Sequence, residues 1–175
     1  MAALWVRMNM RKSFGRMPLG WAATVGRPYI ILMALLALLA SGCATGAHLR
    51  GGLFGEKLVS TARKAIGVKY KFGGNSPSRG FDCSGLVDWA FRKNGVNVPR
   101  STGALYSQGS RVKKKDLLPG DLVFFDISGS GPSHVGIYSG GGRMVHAPST
   151  GAKVREESIN IKYWTKRFLG GRRID

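Results

Sequence analysis

The order of patterns along the 175-residue chain predicts an α+β domain in which helices come first and strands second. Apolar residues recur every fourth position between Glu56 and Ile66, and a second apolar face follows Asp82, which is typical of two helices. After the basic triplet at 113–115 the pattern changes to short, β-rich segments separated by glycine and serine. Helices followed by strands favour this class over the regular alternation of a parallel sheet.

Start and stop residues bound the individual elements. The first helix is predicted over 56–66 and the second over 82–94, each followed directly by a glycine. A short third helix through 104–106 has Ser101 or Thr102 as its cap. The strands are predicted at 121–125, 134–138 and 143–147, with weaker ones at 153–156 and 167–169.

Residues 1–42 have the composition of a secretory signal peptide. Five basic residues and no acidic one precede or border an apolar run, 29–39, which ends in small residues. A run of this length is typical of an export signal rather than a membrane span. Cys43 follows directly and resembles the cysteine of a bacterial lipobox, which is acylated and becomes the new N-terminus. Residues 43–55 are then expected to be a lipidated tether, and residues 56–175 the exported domain.

Two questions about this segment stay open. The run could instead be an uncleaved anchor helix, in which case Cys43 is an ordinary residue. Translation could also begin at Met8, Met10 or Met17, because the basic region is long. In a Gram-negative host, Ala44 after the cysteine favours the outer membrane, with the domain facing the periplasm. Several acyl chains would anchor it stably in the lipid bilayer.

The net charge of the chain indicates a basic surface but does not identify a function. Basic residues outnumber acidic ones 27 to 9, and all nine acids but only 22 of the bases follow residue 43, which leaves that part with a net charge of +13. Such a field attracts nucleic acid, anionic lipid and carboxylate-rich wall peptides alike. The bases are spread along the chain apart from 113–115 and 172–173, which together with export argues against a nucleic-acid partner.

Cys83 is the single cysteine of the predicted domain and the candidate nucleophile. Asp82 is a good N-cap, so Cys83 would occupy the first helical position beside unpaired amides. Those amides and the helix dipole are expected to lower the pKa of the thiol and could hold an oxyanion. Gly85 would leave the backbone open to a substrate. The alternative is a small, buried, apolar thiol.

His134 and His146 lie on the two strands of a predicted hairpin and are the only histidines of the domain. With a three-residue loop at 139–141, Val135 would face Val145 and His134 would face His146. The two imidazoles would then share one face of the sheet. The alternative is a pair of polar surface residues on a strand.

A thiolate and two imidazoles support two kinds of chemistry. One imidazole can take the proton from the sulfur of Cys83 while the other fixes the orientation of the first ring. The same three groups can bind zinc. The chain has no Cys-x-x-Cys or His-Glu-x-x-His spacing, so neither a metal nor a cofactor is predicted.

Six segments form a pattern that is more specific than any one motif. They are Tyr70-Lys71-Phe72-Gly73-Gly74, Arg79-Gly80-Phe81-Asp82-Cys83-Ser84-Gly85-Leu86-Val87, Pro99-Arg100-Ser101-Thr102, Leu118-Pro119-Gly120-Asp121-Leu122-Val123-Phe124-Phe125, His134-Val135-Gly136-Ile137-Tyr138 and Val145-His146-Ala147. In this order, over nearly all of residues 56–150, they resemble the NlpC family of papain-like cell-wall peptidases. The resemblance implies a papain-like α+β fold, with the cysteine helix packed on an antiparallel sheet.

The resemblance also implies roles for individual residues. Cys83, His134 and His146 match the family's catalytic triad, which works without a cofactor. Three further residues match positions that shape the oxyanion and substrate site in relatives: Tyr70, Asp82 and Ser84. Judged from the residues alone, the tyrosine could merely pack and the aspartate could be only a helix cap.

The activity implied by the resemblance is that of a peptidoglycan endopeptidase. Relatives cleave stem-peptide bonds that involve D-glutamate and diaminopimelate, or the crosslinks between stems, and acidic stems would suit a domain with a net charge of +13. An amidase or acyltransferase on the same fold is one alternative. A non-catalytic lipoprotein that binds wall peptides is another. No wall-binding module is recognisable, so the bond that is cut stays open.

Overall fold

The computed structural model describes residues 42–174, which form the α+β domain that the sequence predicts. Helices α1 to α4 span Gly42–Arg63, Cys83–Lys93, Thr102–Tyr106 and Lys162–Thr165. Strands β1 to β8 span Asn75–Ser76, Gly80–Phe81, Ser110–Val112, Leu122–Phe125, His134–Gly140, Arg143–His146, Arg155–Ser158 and Phe168–Arg173. Strands β1, β2 and β3 were not predicted, because two or three residues are too few to show a period.

The main sheet has six strands in the order β3-β8-β4-β5-β6-β7, and each neighbouring pair is antiparallel. Helices α1 and α2 cover one face, where they bury Leu122 and Phe124 of the central strand β4. Val123 and Phe125 point to the other face and pack around Trp164 of α4. Because both faces are covered, β4 is continuously apolar rather than alternating.

Helix α1 is displaced toward the N-terminus relative to the prediction. It runs Gly42–Arg63 rather than 56–66, so the segment predicted as a tether, 43–55, is helical. Phe54 packs on the core, with its ring centroid 5.9 Å from that of Phe91. Ile66, predicted to face the core, is 46% exposed because the helix has already ended at Arg63.

The hairpin of β5 and β6 differs from the predicted register by two residues. Val145 pairs with Ile137, whereas the prediction paired it with Val135. Gly141 and Gly142 form a tight turn with φ of 57° and 73°, the positive values that a two-residue type I′ loop requires. Side chains of a strand alternate with a period of two, so this shift leaves both histidines on one face. They are diagonal neighbours rather than directly opposite.

The site lies where α2 meets one end of the sheet. Cys83 is the first residue of α2 and His134 the first residue of β5. Val135 and Ile137 of β5 belong to the core on the α2 side, whereas His134 packs against Phe125 and Trp164 on the opposite face. The helix start and the strand start therefore approach each other at the edge between the two faces.

Candidate active site

Cys83 occupies the first position of α2, as its cap predicts. The Oδ1 atom of Asp82 accepts a hydrogen bond from the Gly85 amide at 2.7 Å, which fixes where the helix begins. The sulfur lies 3.7 Å from Oγ1 of Thr102, and the backbone amide of Val135 is near enough to lower the pKa of the thiol. It therefore sits beside the residue that directly follows His134 on β5.

The pKa of the Cys83 thiol is raised, which is opposite to the prediction from the helix start. Burial of the sulfur is the largest effect and disfavours the thiolate, and the charge of Asp82 acts in the same direction. Hydrogen bonds from Thr102 and from the amides of Val135 and Ser84 favour the thiolate but do not offset burial. The resting side chain is therefore a neutral thiol. The sequence predicted the helix start, whose dipole lowers the pKa of the thiol, but it did not predict the burial of the sulfur, which raises that pKa.

His134 and His146 form a buried pair, as expected from their shared face. Nε2 of His134 lies 2.9 Å from Nδ1 of His146, and the two ring planes are nearly perpendicular at 86°. The residues are only 1% and 0% exposed. The bond leaves Nδ1 of His134 as the ring nitrogen that can exchange a proton with another group.

Both imidazoles are neutral at physiological pH. Burial lowers the pKa of His134 to about 3; His146 adds to this effect and Glu157 opposes it. Burial also lowers the pKa of His146 to about 3, and the positive charge of Arg155 contributes. Since each neutral ring carries one N–H, one ring donates and the other accepts in the bond between them.

Two side chains that the sequence did not indicate surround this pair. Trp164 stacks on His134 with ring centroids 5.1 Å apart and planes 19° apart, and it meets His146 edge-on at 84°. Oε2 of Glu157 lies 3.2 Å from Nε2 of His146 and accepts a hydrogen bond from Nε1 of Trp164 at 2.8 Å. The predicted strand at 153–156 stopped one residue short of Glu157, and no spacing marked either residue.

Asp82 and Ser84 are both bonded to Arg100. The guanidinium donates to Oδ2 of Asp82 and to Oγ of Ser84, each at 2.8 Å. Burial alone would raise the pKa of Asp82, but the bonds from Arg100 and from the Gly85 and Gly73 amides lower it on balance. The two side chains are buried, whereas that of Arg100 is 39% exposed. The capping role of Asp82 is thus realised, and the most exposed side chain of this cluster is that of Arg100.

Tyr70 lies on the Cys83 side of the site. It is partly buried and packs against the same core cluster as Cys83. Burial raises the pKa of its phenol, and the negative charges available at Cys83 and Asp82 raise it further. The hydroxyl therefore remains protonated and keeps its capacity to donate a hydrogen bond.

Gly85 does not open the backbone to a substrate, contrary to the prediction. A Cβ at this position would overlap the carbonyl oxygen of Gly74 and crowd the guanidinium of Arg100. Glycine is needed here because the helix start approaches the neighbouring loop too closely for a side chain. The amides of Gly85 and Leu86 are also both bonded to Asp82, so they belong to the cap rather than to an oxyanion site.

Among the side chains that the structure describes, those of residues 52–174, no group of three or more histidine, cysteine, aspartate or glutamate residues is arranged to hold a metal ion. No helix within residues 42–174 combines the length and apolar character that crossing a membrane requires. Cys43 lies near the beginning of α1, and residues 1–41 of the predicted signal peptide fall outside the described residues.

A thiol at a helix start, packed on an antiparallel sheet that carries a buried histidine pair, defines a papain-like α+β domain. Comparison with known families agrees with this class, because the profile of the NlpC/P60 family matches residues 67–173. The chain belongs to the NlpC/P60 family, and the resemblance seen in its motifs is confirmed.

Known relatives share this domain but are longer proteins. "Probable endopeptidase p60" of Listeria welshimeri is 44% identical over 117 residues, 67% of this chain and 22% of that protein. "Murein DD-endopeptidase MepH" of Escherichia coli is 35% identical over 140 residues, 77% of this chain and 52% of that protein. An NlpC/P60 crystal structure from Bacillus cereus superimposes with a TM-score of 0.64 at 32% identity, covering 68% of this chain and 39% of its own. The chain thus spans from about a fifth to about half of these relatives.

Proposed function

We propose that this protein is a peptidoglycan endopeptidase that cleaves stem-peptide or crosslink amide bonds by a thiol mechanism. The observation that carries the proposal is the position of the Cys83 sulfur, which contacts the Val135 amide next to His134, whose ring is bonded to His146. Family relatives from Listeria, Bacillus subtilis and Escherichia coli are named as endopeptidases.

In the proposed mechanism Cys83 is the nucleophile and His134 its base. Nδ1 of His134 takes the thiol proton as the sulfur attacks the carbonyl carbon of the scissile amide. The same nitrogen returns the proton to the leaving amine as the C–N bond breaks, and a thioester remains. Water, deprotonated in turn by Nδ1, then hydrolyses the thioester, which releases a carboxylate and restores the thiol.

Proton transfer is expected to accompany attack rather than to precede it. Burial disfavours both the thiolate of Cys83 and the imidazolium of His134, so the resting pair is neutral. Stabilisation of the oxyanion then contributes a large part of the rate enhancement. The hydroxyl of Tyr70 and the backbone amide of Cys83 are the proposed donors to that oxyanion.

Substrate recognition is proposed to involve Tyr70, Asp82 and Ser84 together with Arg100. Asp82 and Ser84 hold the guanidinium of the partly exposed Arg100, and a cation at this place suits the carboxylates of an acidic stem peptide. The net charge of +13 after residue 43 favours the same class of ligand.

A second candidate bond comes from a different relative. "Gamma-DL-glutamyl hydrolase" of Bacillus subtilis is 38% identical over 122 residues, 68% of this chain and 30% of that protein. A γ-glutamyl amide bond is therefore a second candidate, and amidase or acyltransferase chemistry on the same thiol would involve the same thioester. These activities differ in the ends of their products.

Purified protein incubated with defined muropeptides and analysed by mass spectrometry tests the proposal. New amine and carboxyl ends identify the bond as an endopeptidase, γ-glutamyl or amidase site, whereas transfer to an added amine identifies an acyltransferase. Cys83→Ala should abolish the products, and Ser101→Ala, which removes the cap of the neighbouring helix α3, should retain them. Cleavage by Cys83→Ala at the wild-type rate would exclude the thiol mechanism. Binding without cleavage by the wild type would favour the non-catalytic alternative.

We also propose that residues 1–42 are a signal peptide and that Cys43 is acylated. In a Gram-negative host the protein would then be anchored to the outer membrane and face the periplasm. Labelling with a palmitate analogue and membrane fractionation test this proposal. Cys43→Ser should lose the label and move to the soluble fraction without losing catalysis, and an unlabelled wild type would refute acylation.

A further inference from the structure

The ring nitrogen Nε2 of His146 is in an unusual position. The residue is completely buried, and among the described residues this nitrogen has no partner in line for a hydrogen bond. A carboxylate oxygen of Glu157 nevertheless lies 3.2 Å away from it. The distance is within hydrogen-bonding range, but the ring nitrogen and the carboxylate are not aligned as in a hydrogen bond. A buried polar nitrogen without a partner is rare, so the carboxylate of Glu157 is the group to consider as its partner.

The bond between the two histidines permits two arrangements of protons. In the first, Nε2–H of His134 donates to Nδ1 of His146, which leaves Nδ1 of His134 unprotonated and puts the His146 proton on Nε2, facing Glu157. In the second, Nδ1–H of His146 donates to Nε2 of His134. A neutral His134 then carries its proton on Nδ1 and cannot accept another there.

The carboxylate of Glu157 distinguishes these two arrangements. In the first arrangement the carboxylate faces an N–H of His146 at 3.2 Å between nitrogen and oxygen, which is favourable, and in the second it faces a nitrogen lone pair at the same distance, which is repulsive in a buried site. Two side chains hold the Glu157 carboxylate in place. Nε1–H of Trp164 donates to Oε2, and the guanidinium of Arg155 donates to both oxygens at 3.3 Å. The carboxylate is therefore fixed against the back of the pair.

We propose that Glu157 is a positioning residue that sets the tautomers of His134 and His146, so that Nδ1 of His134 is free to act as a base. It also stabilises the positive charge that develops on the pair when the thiol proton moves. The catalytic consequence rests on the proposed function, whereas the tautomers themselves do not.

Neighbouring residues of β7 provide matched variants. Glu156 lies next to Glu157 but on the opposite face, where it bonds to Arg63 and Ser139. Glu157→Leu removes both the charge and the acceptor. Glu157→Gln removes the charge and one acceptor of Arg155, but Trp164 N–H keeps the amide oxygen directed at the same point. Glu156→Gln changes the charge of the strand by the same amount away from the pair.

The experiment uses the full chain in detergent with ¹³C,¹⁵N-labelled histidine, of which there are three residues. Long-range ¹H–¹⁵N spectra should show His134 protonated at Nε2 and not at Nδ1 in the wild type. Glu157→Leu should populate the opposite tautomer and lower kcat about 10–100-fold with little change in KM. Glu157→Gln should keep the tautomer with a smaller loss of kcat, and Glu156→Gln should match the wild type in both measurements.

Wild-type protein with His134 protonated at Nδ1 would overturn the inference, as would unchanged tautomers in Glu157→Leu. If Glu157→Leu does not fold, the wild-type tautomer and the smaller kcat of Glu157→Gln decide instead. Expected tautomers in a wild type that cuts no muropeptide would refute the proposed function and leave the positioning role of Glu157 supported.

Discussion

Trp164 lies almost flat against His134, with ring centroids 5.1 Å apart and planes 19° apart. The indole comes from α4, far along the chain, and Phe125 packs near the same imidazole at 6.3 Å between centroids. These aromatic rings exclude water from the base and hold its plane, which explains why its pKa falls and why the neutral form persists.

We expect the two histidines to differ in their effect on catalysis. His134→Ala removes the base and should lower kcat by about 10²–10⁴-fold. His146→Ala removes only the partner that orients the base and should cost about 10–100-fold. Muropeptide turnover with circular dichroism as the folding control measures both, and equal losses in two folded variants would contradict the division of roles.

Alkylation should detect the raised pKa of the Cys83 thiol. The rate of reaction with iodoacetamide, followed by mass spectrometry of the Cys83 peptide, should rise with pH through an inflection above about 8.5, the ordinary value. Thr102→Val removes a hydrogen bond that favours the thiolate, so the inflection should move to higher pH. An alkylation rate that already reaches its plateau below neutral pH would mean that Cys83 rests as a thiolate paired with an imidazolium. It would contradict burial as the dominant effect on the pKa of the thiol.

The buried histidines should make the protein less stable in acid. Their folded-state pKa of about 3 lies below the unfolded value of 6.5, so the unfolded chain binds more protons between these limits. The free energy of unfolding should therefore fall as pH decreases from 6.5 toward 3, by at most about 1.4 kcal/mol per pH unit for each histidine. The lowered pKa of Asp82 adds a loss at the acid end of this range.

Urea unfolding at several pH values measures this dependence. His146→Gln removes one titrating group and should make the slope shallower. A free energy of unfolding that does not change between pH 7 and pH 4 would show that the pair takes up protons without unfolding.

Two helix-start glycines should respond in opposite ways to the same substitution. Gly85→Ala places a methyl group against the backbone of Gly74, which cannot move without displacing the helix, so we expect a loss of about 3 kcal/mol or more. Gly103 in α3 has no atom within 4 Å of a Cβ, and Gly103→Ala should stabilise by about 0.5–1 kcal/mol. Thermal unfolding of both variants tests this, and a neutral Gly85→Ala would show that the loop yields.

Local sequence patterns predicted much of the secondary structure and of the candidate site. The cap at Asp82, the helix that begins at Cys83 and the strands that carry the two histidines depend on neighbours a few residues away, so spacing and residue type predict them. The prediction that His134 and His146 share one face is also correct although the predicted hairpin register was wrong, since a shift of two residues keeps each side chain on the same side of the sheet. The class of fold and the family followed from these same segments.

Long-range packing decided the rest. The pKa of the Cys83 thiol depends on how far the packing around this partly buried side chain removes water from the sulfur, and this desolvation reversed the sign expected from the helix dipole alone. Glu157 reaches the histidine pair because β7 pairs with β6 at the edge of the sheet, and Trp164 reaches it because α4 packs on the face of the sheet that carries the histidines. No local pattern marks either approach. The electrostatics of a buried site depends on every residue that is close in space, whereas the sequence shows only which residues are adjacent along the chain.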